Sequence, residues 1–414
     1  MKISYDDVPS SIFFVLPVQL FLAVLLAAGL ILDISELVFF SLLLITAKIF
    51  TFLWSLASLE KVRCSITPER YRLFPGDQLN ILLNVSNMKI LPALIKVELF
   101  LHHSLSAHGE ASGAETAEGS WINLEKTFMW YEGSEFTIKA FPSRRGVYNL
   151  GPPVLTGCDI FYFNRKKKKT DTAAEILVYP AAVKIKKYKL LDRDYFGLHS
   201  GISPVKNPLL VSGTRDYQNG APARSIHWKA SARFNRLQAK IFESVRQEKV
   251  LIILEVSGFK KSRAKSGSPG SRDNDNFEKM LQVIAAFIHV LHHRGIPSGF
   301  VTNGVLNGGG SRIIPFSCSR GHHALVLETL ARLKMEEDSG NDITELIKKG
   351  NYLSGSAGCI CFSDKYSSTA MKISGCLQSG KMRSRFVFAE KKGNDFIPVN
   401  AEYLDDIIIS GEKT

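Results

Sequence analysis

Two apolar stretches near the start of the sequence constrain this chain more than any other feature. Ile12–Leu32 runs for 21 residues without a charge and with one proline, Pro17. Leu37–Leu59 runs for 23 and is broken only by Lys48. At ~1.5 Å per helical residue, either run covers the ~30 Å hydrocarbon core of a bilayer. Asp33-Ile-Ser-Glu36 between them reads as a polar turn. A secretory leader would carry a shorter apolar stretch, a basic segment before it and a small-residue cleavage site. Here Lys2 is offset by Asp6 and Asp7, and a second run follows at once. The expectation is a two-helix transmembrane hairpin over residues 1–60.

Orientation follows from where Lys and Arg lie. The turn has none, the leader has Lys2, and Lys61, Arg63, Arg70 and Arg72 follow the second run. Both termini and the bulk of the chain are therefore expected on the cytoplasmic side of the cell membrane. A lysine in mid-membrane is costly, so Lys48 should face a partner, pair within the hairpin or reach the interface.

Beyond the second run the texture changes. Pro75-Gly76-Asp77 is a turn signal, and Leu79–Val85, Leu94–Leu101 and Phe136–Phe141 alternate apolar with polar residues. Arg145-Gly-Val-Tyr148 opens another strand toward Val154, and Ser104–Ser120 is a Ser/Gly/Ala/Glu-rich loop. This spacing predicts an antiparallel β-sandwich over 64–180. From about residue 190 the pattern becomes α/β. Val250–Val256 is a continuous apolar run suited to a buried parallel strand. Phe277–His293 is an amphipathic helix that stops at Gly295. Strands at Gly299–Thr302, Cys359–Ser363 and Arg385–Ala389 and helices at Ala324–Leu333 and Thr369–Leu377 follow, whereas Ser262–Asn276 reads as a loop. The fold class is therefore multi-domain: membrane hairpin, antiparallel β-sandwich, then a doubly wound α/β domain over 190–414.

With 45% hydrophobic and 22% charged residues the chain is not a disordered one. Its net charge of +13 favours an acidic or anionic partner. More than half of that excess comes from one stretch. Arg165, Lys166, Lys167, Lys168 and Lys169 are consecutive, and Lys184, Lys186, Lys187 and Lys189 follow against only Asp171 and Glu175. A solvated basic face, contact with anionic lipid and nucleic-acid binding all fit such a run. The absence of interleaved aromatics and of any recognisable reading module disfavours nucleic acid. The six cysteines show neither zinc-ribbon nor C-x-x-C spacing, so they read as reduced thiols, with Cys359 and Cys361 on one face of a strand.

Several patterns fall short of an active site. His289, His292 and His293 have metal-ligand spacing on a helix, without a carboxylate in the segment. Asn307-Gly-Gly-Gly310 lacks the lysine of a phosphate loop, and no nucleophile elbow occurs. No catalytic residue and no cofactor is assigned.

The most distinctive segment is Gly213-Thr-Arg215-Asp216-Tyr217-Gln-Asn-Gly220, followed by Arg224-Ser-Ile-His-Trp228-Lys-Ala-Ser-Ala-Arg233. Together with the Arg145-Gly-Val-Tyr148 turn, it resembles the signature of the bacterial family called domain of unknown function 58. That pattern has an aspartate where this chain has Ala221, and aspartate-proline-phenylalanine-glycine where it has Asp159-Ile-Phe-Tyr162. The resemblance implies a von Willebrand factor A-like carboxy-terminal domain and an adaptor role at the membrane. Its implied partners are a MoxR-type AAA+ ATPase and neighbouring transglutaminase-like membrane proteins. A von Willebrand-type magnesium site needs several oxygens on one loop. The loop here offers Glu255 and Ser257 but then Phe259, with Asp364 as the distal acid. A divalent-metal-dependent receptor is the alternative; a hydrolase or nucleic-acid binder has less in its favour. Arg215, Asp216, Tyr217, Gly220, Arg224, Trp228 and Arg233 form either a partner surface or an internal brace.

Overall fold

The computed structural model describes residues 7–9, 16–108, 115–116, 119–158, 164–185, 206–218, 220–244, 249–262, 271–337, 342–350, 352, 357–380, 382–389 and 401–408. The chain is mixed α/β and divides into two compact units, residues 1–181 and 182–414. In the first unit, β1 (Asp7–Pro9) precedes α1 (Leu16–Ile31) and α2 (Ser35–Ser58). Then come β2 (Val62–Pro68), β3 (Arg72–Leu73), β4 (Leu79–Asn87), β5 (Ala93–His102), β6 (Leu105–His108) and β7 (Glu115–Thr116). It closes with β8 (Gly119–Phe128), β9 (Gly133–Pro142), β10 (Gly146–Leu150), β11 (Val154–Cys158), β12 (Asn164–Lys169) and β13 (Ala174–Val178).

Helix α2, at 24 residues, is long and apolar enough to cross a membrane by length and composition. The described part of the first apolar run, α1, has 16 residues and spans only ~24 Å; residues 12–15 lie outside the described residues. The two helices pack against each other, and a side chain at Gly29 would meet Val38 Cγ2 at 2.9 Å. The β-rich part has a six-stranded sheet β1-β12-β11-β5-β8-β7 and a four-stranded sheet β2-β4-β9-β6, with β10-β13-β3 as a smaller third. Strand β4 alternates buried and half-buried residues, as does β5. That period of two puts Leu79, Ile81, Leu83 and Val85 in one core with Ile95, Val97, Leu99 and Leu101.

Two local expectations are corrected in this unit, and one strand is added. Part of the Ser104–Ser120 segment is strand: β6 pairs with β9, and β7 pairs with β8. The strand from Arg145 toward Val154 is broken by the Gly151-Pro152-Pro153 corner into β10 and β11, which join different sheets, because proline cannot donate to a ladder. The Arg165–Lys169 run is itself β12, paired with β11 from Cys158↔Arg165 to Val154↔Lys169 and with β1 at Asp7↔Lys166.

The second unit opens with β14 (Lys206–Asp216), a 3₁₀ turn (Ala223–Ser225), α3 (Trp228–Phe234) and β15 (Gln238–Ser244). Then follow β16 (Lys249–Leu254), α4 (Ser257–Ser262), α5 (Ser271–His293), β17 (Ser298–Thr302), β18 (Gly304–Leu306), β19 (Ile313–Ser317) and α6 (Arg320–Arg332). The remainder is β20 (Leu333–Glu337), α7 (Ile343–Lys349), β21 (Ala357–Ser363), α8 (Ser368–Ser379), β22 (Arg383–Phe388), β23 (Ala401–Tyr403) and α9 (Leu404–Ile407). Helix α5 takes in Ser271–Asn276, part of the segment expected to be a loop. The main sheet runs β19-β17-β16-β21-β22-β23, parallel from β17 to β23 with β19 antiparallel at its edge. Val250 to Leu254 are buried without alternation, because helices cover the faces of a parallel sheet. Cys359 and Cys361 lie in the same core cluster as Leu251, Ile253 and Ile373. Burial pushes both thiols well above the usual range.

Candidate functional site

Two clusters in the second unit draw together the residues singled out from sequence. The first is the unit formed by β14, the 3₁₀ turn, α3 and β15. Strands β14 and β15 pair antiparallel with Arg215↔Ala239 and Asp216↔Gln238 in register. The segment between them is folded by its own polar groups. Tyr217 N donates to Leu237 O at 2.9 Å, and His227 N donates to Gln238 O at 2.7 Å. The Tyr217 hydroxyl donates to Ala221 O at 2.5 Å. Helix α3 starts where His227 Nδ1 accepts from Ala230 N at 3.1 Å, and it ends at Asn235, whose φ of 52° is left-handed as expected of a C-cap. Gly220 sits at φ +102°, a conformation that L side chains rarely adopt, which accounts for the glycine without a ligand.

The signature residues thus divide into two groups. Asp216, although exposed, is engaged within the unit: it accepts from Arg236 Nη1 at 3.1 Å and from the buried Gln238 through Nε2 at 2.5 Å. Tyr217 braces as well, through Ala221. Arg215, Arg224, Trp228 and Arg233 are exposed, joined by exposed Lys229, Phe234 and Leu237. Trp228 is 69% accessible, a high value for an indole. The exposed set combines guanidinium groups with a large aromatic, the residue types that dominate the energetics of protein interfaces.

The second cluster lies at the carboxyl ends of β16 and β21. The chain leaves β16 for β17 on one side and later enters β21 on the other, so this is the point where the strand order reverses. Glu255 is fully buried there. Its carboxylate accepts hydrogen bonds from the hydroxyls of Ser257, Ser363 and Thr369, the last at 2.9 Å. Its backbone N donates to Phe362 O at 2.9 Å, while Val256 N donates to Asn303 Oδ1 at 2.9 Å. Asp364, 3% exposed, forms an ion pair with Lys365 at 3.3 Å. Gly258 lets the two loops close, since a Cβ there would lie 3.0 Å from Asp364 Cβ. Phe259 is fully buried against Phe277, with ring centroids 5.2 Å apart, so the position where a metal loop would carry an oxygen packs into the core. The structure therefore brings Glu255 and Ser257 together and places Asp364 on the adjoining loop. Sequence reasoning missed Ser363, Thr369 and Asn303. The two hydroxyls sit 108 and 114 residues from Glu255, beyond the reach of any spacing motif.

The histidine segment also gains members. His289, His292 and His293 on α5 meet His323 on α6, with His292 and His323 stacked at 5.0 Å and His289 Nε2 3.1 Å from His293 Nε2. Burial and the neighbouring imidazoles hold His289 and His323 below the usual imidazole range. Among the described residues, no group of three or more His, Cys, Asp or Glu side chains is arranged to hold a metal ion.

The basic run lies in the first unit. Arg165 and Lys169 are exposed, while Lys167 lies 3.7 Å from Glu98. Strand β12 packs beside α2. Lys166 is in register with Gly157, where a Cβ would come within 2.7 Å of Leu59 Cγ and Ser58 Oγ. The basic strand therefore starts at the level where α2 ends. Lys48 lines a hollow with Leu22, Ile45 and Phe52. The Asp159–Tyr162 segment and Lys186, Lys187 and Lys189 lie outside the described residues.

Comparison with known proteins matches residues 213–364 to the family described as "Protein of unknown function DUF58". The match covers the signature segment and, apart from Thr369, the Glu255 cluster. Bacillus subtilis (strain 168) has a similar protein, "Uncharacterized protein YeaD", 22% identical over 256 residues. That alignment covers 61% of this chain and 58% of the Bacillus protein, so less than two thirds of the relative's length is spanned. Among solved structures, a non-cellulosomal cohesin from Archaeoglobus fulgidus aligns at 14% identity and a TM-score of 0.21, over 28% of this chain and 91% of that one. A type I cohesin–dockerin complex from Clostridium thermocellum aligns at 11% identity and a TM-score of 0.20, over 29% and 99%.

Proposed function

We propose that this protein is a membrane-anchored adaptor with no catalysis of its own. Its signature unit docks a protein partner through Trp228, Arg215, Arg224 and Arg233. One observation carries the reading: the unit spends Asp216, Tyr217, His227 and Gln238 on holding itself together while it leaves a tryptophan and three arginines in solvent. A desolvated Trp ringed by Arg supplies most of the energy of many protein interfaces. Among the described residues of the unit, three exposed arginines against the single exposed carboxylate of Asp216, already bonded to Arg236 and Gln238, steer toward an acidic partner surface. By resemblance, that partner is a MoxR-type AAA+ ATPase, with transglutaminase-like membrane proteins as neighbours.

In this reading α1 and α2 form a two-span hairpin with both termini cytoplasmic. The β-sheets of the first unit form a sandwich, and the second unit is von Willebrand factor A-like. Lys/Arg placement around the apolar runs supports the orientation, and the strand order of the main sheet supports the α/β class. The basic strand β12 lies at the level where α2 ends, where it would meet anionic headgroups.

The test compares intact protein with the Arg215→Ala/Arg224→Ala/Trp228→Ala variant in a pull-down from membranes of the source cells, each checked by a thermal melt. An AAA+ ATPase that co-purifies with the intact protein and is lost from the folded variant supports the adaptor. If the variant melts early, the surface is part of the brace. If the ATPase is absent from both, the adaptor reading fails. The competing reading, a magnesium-dependent receptor built on Glu255, Ser257 and Asp364, is favoured by the position of that cluster at the point of strand reversal.

A further inference from the structure

Two turns of the first unit meet beside the end of α2. One joins β4 to β5 (residues 88–92), the other β8 to β9 (residues 129–132). Asn87 ties them together: its Nδ2 donates to Leu91 O at 3.0 Å and Met129 O at 2.9 Å, and its backbone N donates to Glu132 O at 2.9 Å. Tyr131 N donates to Lys89 O at 3.2 Å. Met129 N donates to Glu132 Oε2 at 2.8 Å, and Lys126 pairs with the same carboxylate at 3.0 Å.

With these polar groups used internally, the turns present an apolar tip. Met88, Ile90, Met129, Trp130 and Tyr131 are all exposed, Ile90 at 71%, Trp130 at 61% and Tyr131 at 68%. Five large apolar side chains on one tip form the kind of contiguous patch that marks an interaction site. Tyr131 has φ 55°, in the left-handed region where a bulky residue is held only at a cost in energy.

The tip's place relative to α2 is fixed by hydrogen bonds. Lys89 Nζ donates to the carbonyls of Ala57 and Ser58 in the last turn of the helix, and Met88 N donates to Lys61 O at 3.1 Å. Trp54, one turn earlier, pairs with Phe50 at 5.3 Å between ring centroids. Lys61, between helix and sheet, and Arg63, at the start of β2, are exposed.

We infer that this tip sits in the interfacial layer of the leaflet where α2 ends, with Trp130, Tyr131, Met88 and Ile90 at the level of the headgroups and upper acyl chains. The inference rests on reading α2 as a membrane span. The occupant is lipid because the patch continues from the end of an apolar helix. Its composition, Trp and Tyr with aliphatic neighbours and flanking Lys and Arg, is that of an interfacial belt.

The experiment uses the full-length protein in phosphatidylcholine–phosphatidylglycerol vesicles, with and without bromine on the upper acyl chain. The chain has four tryptophans; subtracting the emission of Trp130→Phe, and separately of Trp54→Phe, isolates each indole. Circular-dichroism melts check that both variants are folded. Trp130 emission should lose most of its intensity in brominated vesicles, as Trp54 emission does. Quenching of Trp54 without quenching of Trp130 overturns the placement of the tip and leaves α2 in the bilayer. Quenching of neither overturns the membrane reading, and the placement with it.

Discussion

Glu255 and the signature arginines are ionisable residues of one unit treated in opposite ways. The carboxylate of Glu255 is fully buried and surrounded by three hydroxyls, so its hydrogen-bonding capacity is used within the chain. Arg215, Arg224 and Arg233 stand in solvent on a scaffold braced by other residues. A buried carboxyl group is tolerated only with its partners in place, so the Glu255 cluster serves the fold. An exposed ion contributes little to folding and is available to a second molecule. The same unit thus contains a brace and a surface, and mutation should separate them.

The largest effect is expected from Glu255→Ala. It leaves Ser257, Ser363 and Thr369 without their shared acceptor and should lower stability by ~2–3 kcal/mol, given the cost of leaving buried polar groups unsatisfied. Calorimetry of the full-length protein checks this. The same scans with magnesium added should show no shift; a magnesium-dependent rise in melting temperature that Glu255→Ala abolishes would turn the inward-facing cluster into a binding site and break the comparison. Next comes Gln238→Ala, which removes a buried donor to Asp216 and should cost ~1 kcal/mol. A loss no larger than that of Arg233→Ala would show that the Asp216 brace contributes nothing.

A third prediction concerns the polar cluster between α5 and α6. His289, His322 and His323 are held below the usual imidazole range by burial first; neighbouring imidazoles add to this, while a backbone hydrogen bond with Ser298 opposes it at His322. The unfolded chain therefore binds more protons than the folded one, and stability should fall as pH drops below ~6.5, the value of a free imidazole. His323→Gln should flatten the low-pH side of a melting-temperature profile, and an unchanged slope would contradict this assignment. The smallest effect on stability belongs to Trp228→Ala and Arg224→Ala. As exposed positions, both should stay within ~0.5 kcal/mol of the parent while partner capture is lost. A drop comparable to that of Gln238→Ala would move Trp228 from surface to brace.

What could be read from sequence depended on whether one element carried its own signal. The buried run at Val250–Leu254, the amphipathic periodicity of α5 and its stop at Gly295 each announce themselves within one segment. Strand β12 does not, because five consecutive basic residues erase the apolar alternation that marks a strand, and its pairing with β11 and β1 supplies the order instead. Strand β8 is hidden for a related reason: its burial is irregular along Gly119–Phe128, so no period of two is visible. The candidate sites divide in the same way. The signature is contiguous and legible, whereas Thr369 reaches Glu255 only through the parallel pairing of β16 with β21. Which signature residues brace and which are exposed required the partners of Asp216 and Tyr217.

The bonds from Lys89 to the carbonyls of Ala57 and Ser58 bear on how motion passes through the molecule. Helix ends ordinarily give their last carbonyls to water and fray. Here a side chain from the turn after β4 holds them, and Gly157 of β11 closes against Leu59. Lys89 is partly desolvated in doing so, which lowers its pKa to about 8. With a side chain and a strand both gripping its last turn, α2 cannot swivel against the sheets without breaking those contacts. Any change in the helix's tilt is then delivered to the β-rich unit as a rigid rotation, and the joint behaves as a clamp where a flexible linker would have been a hinge.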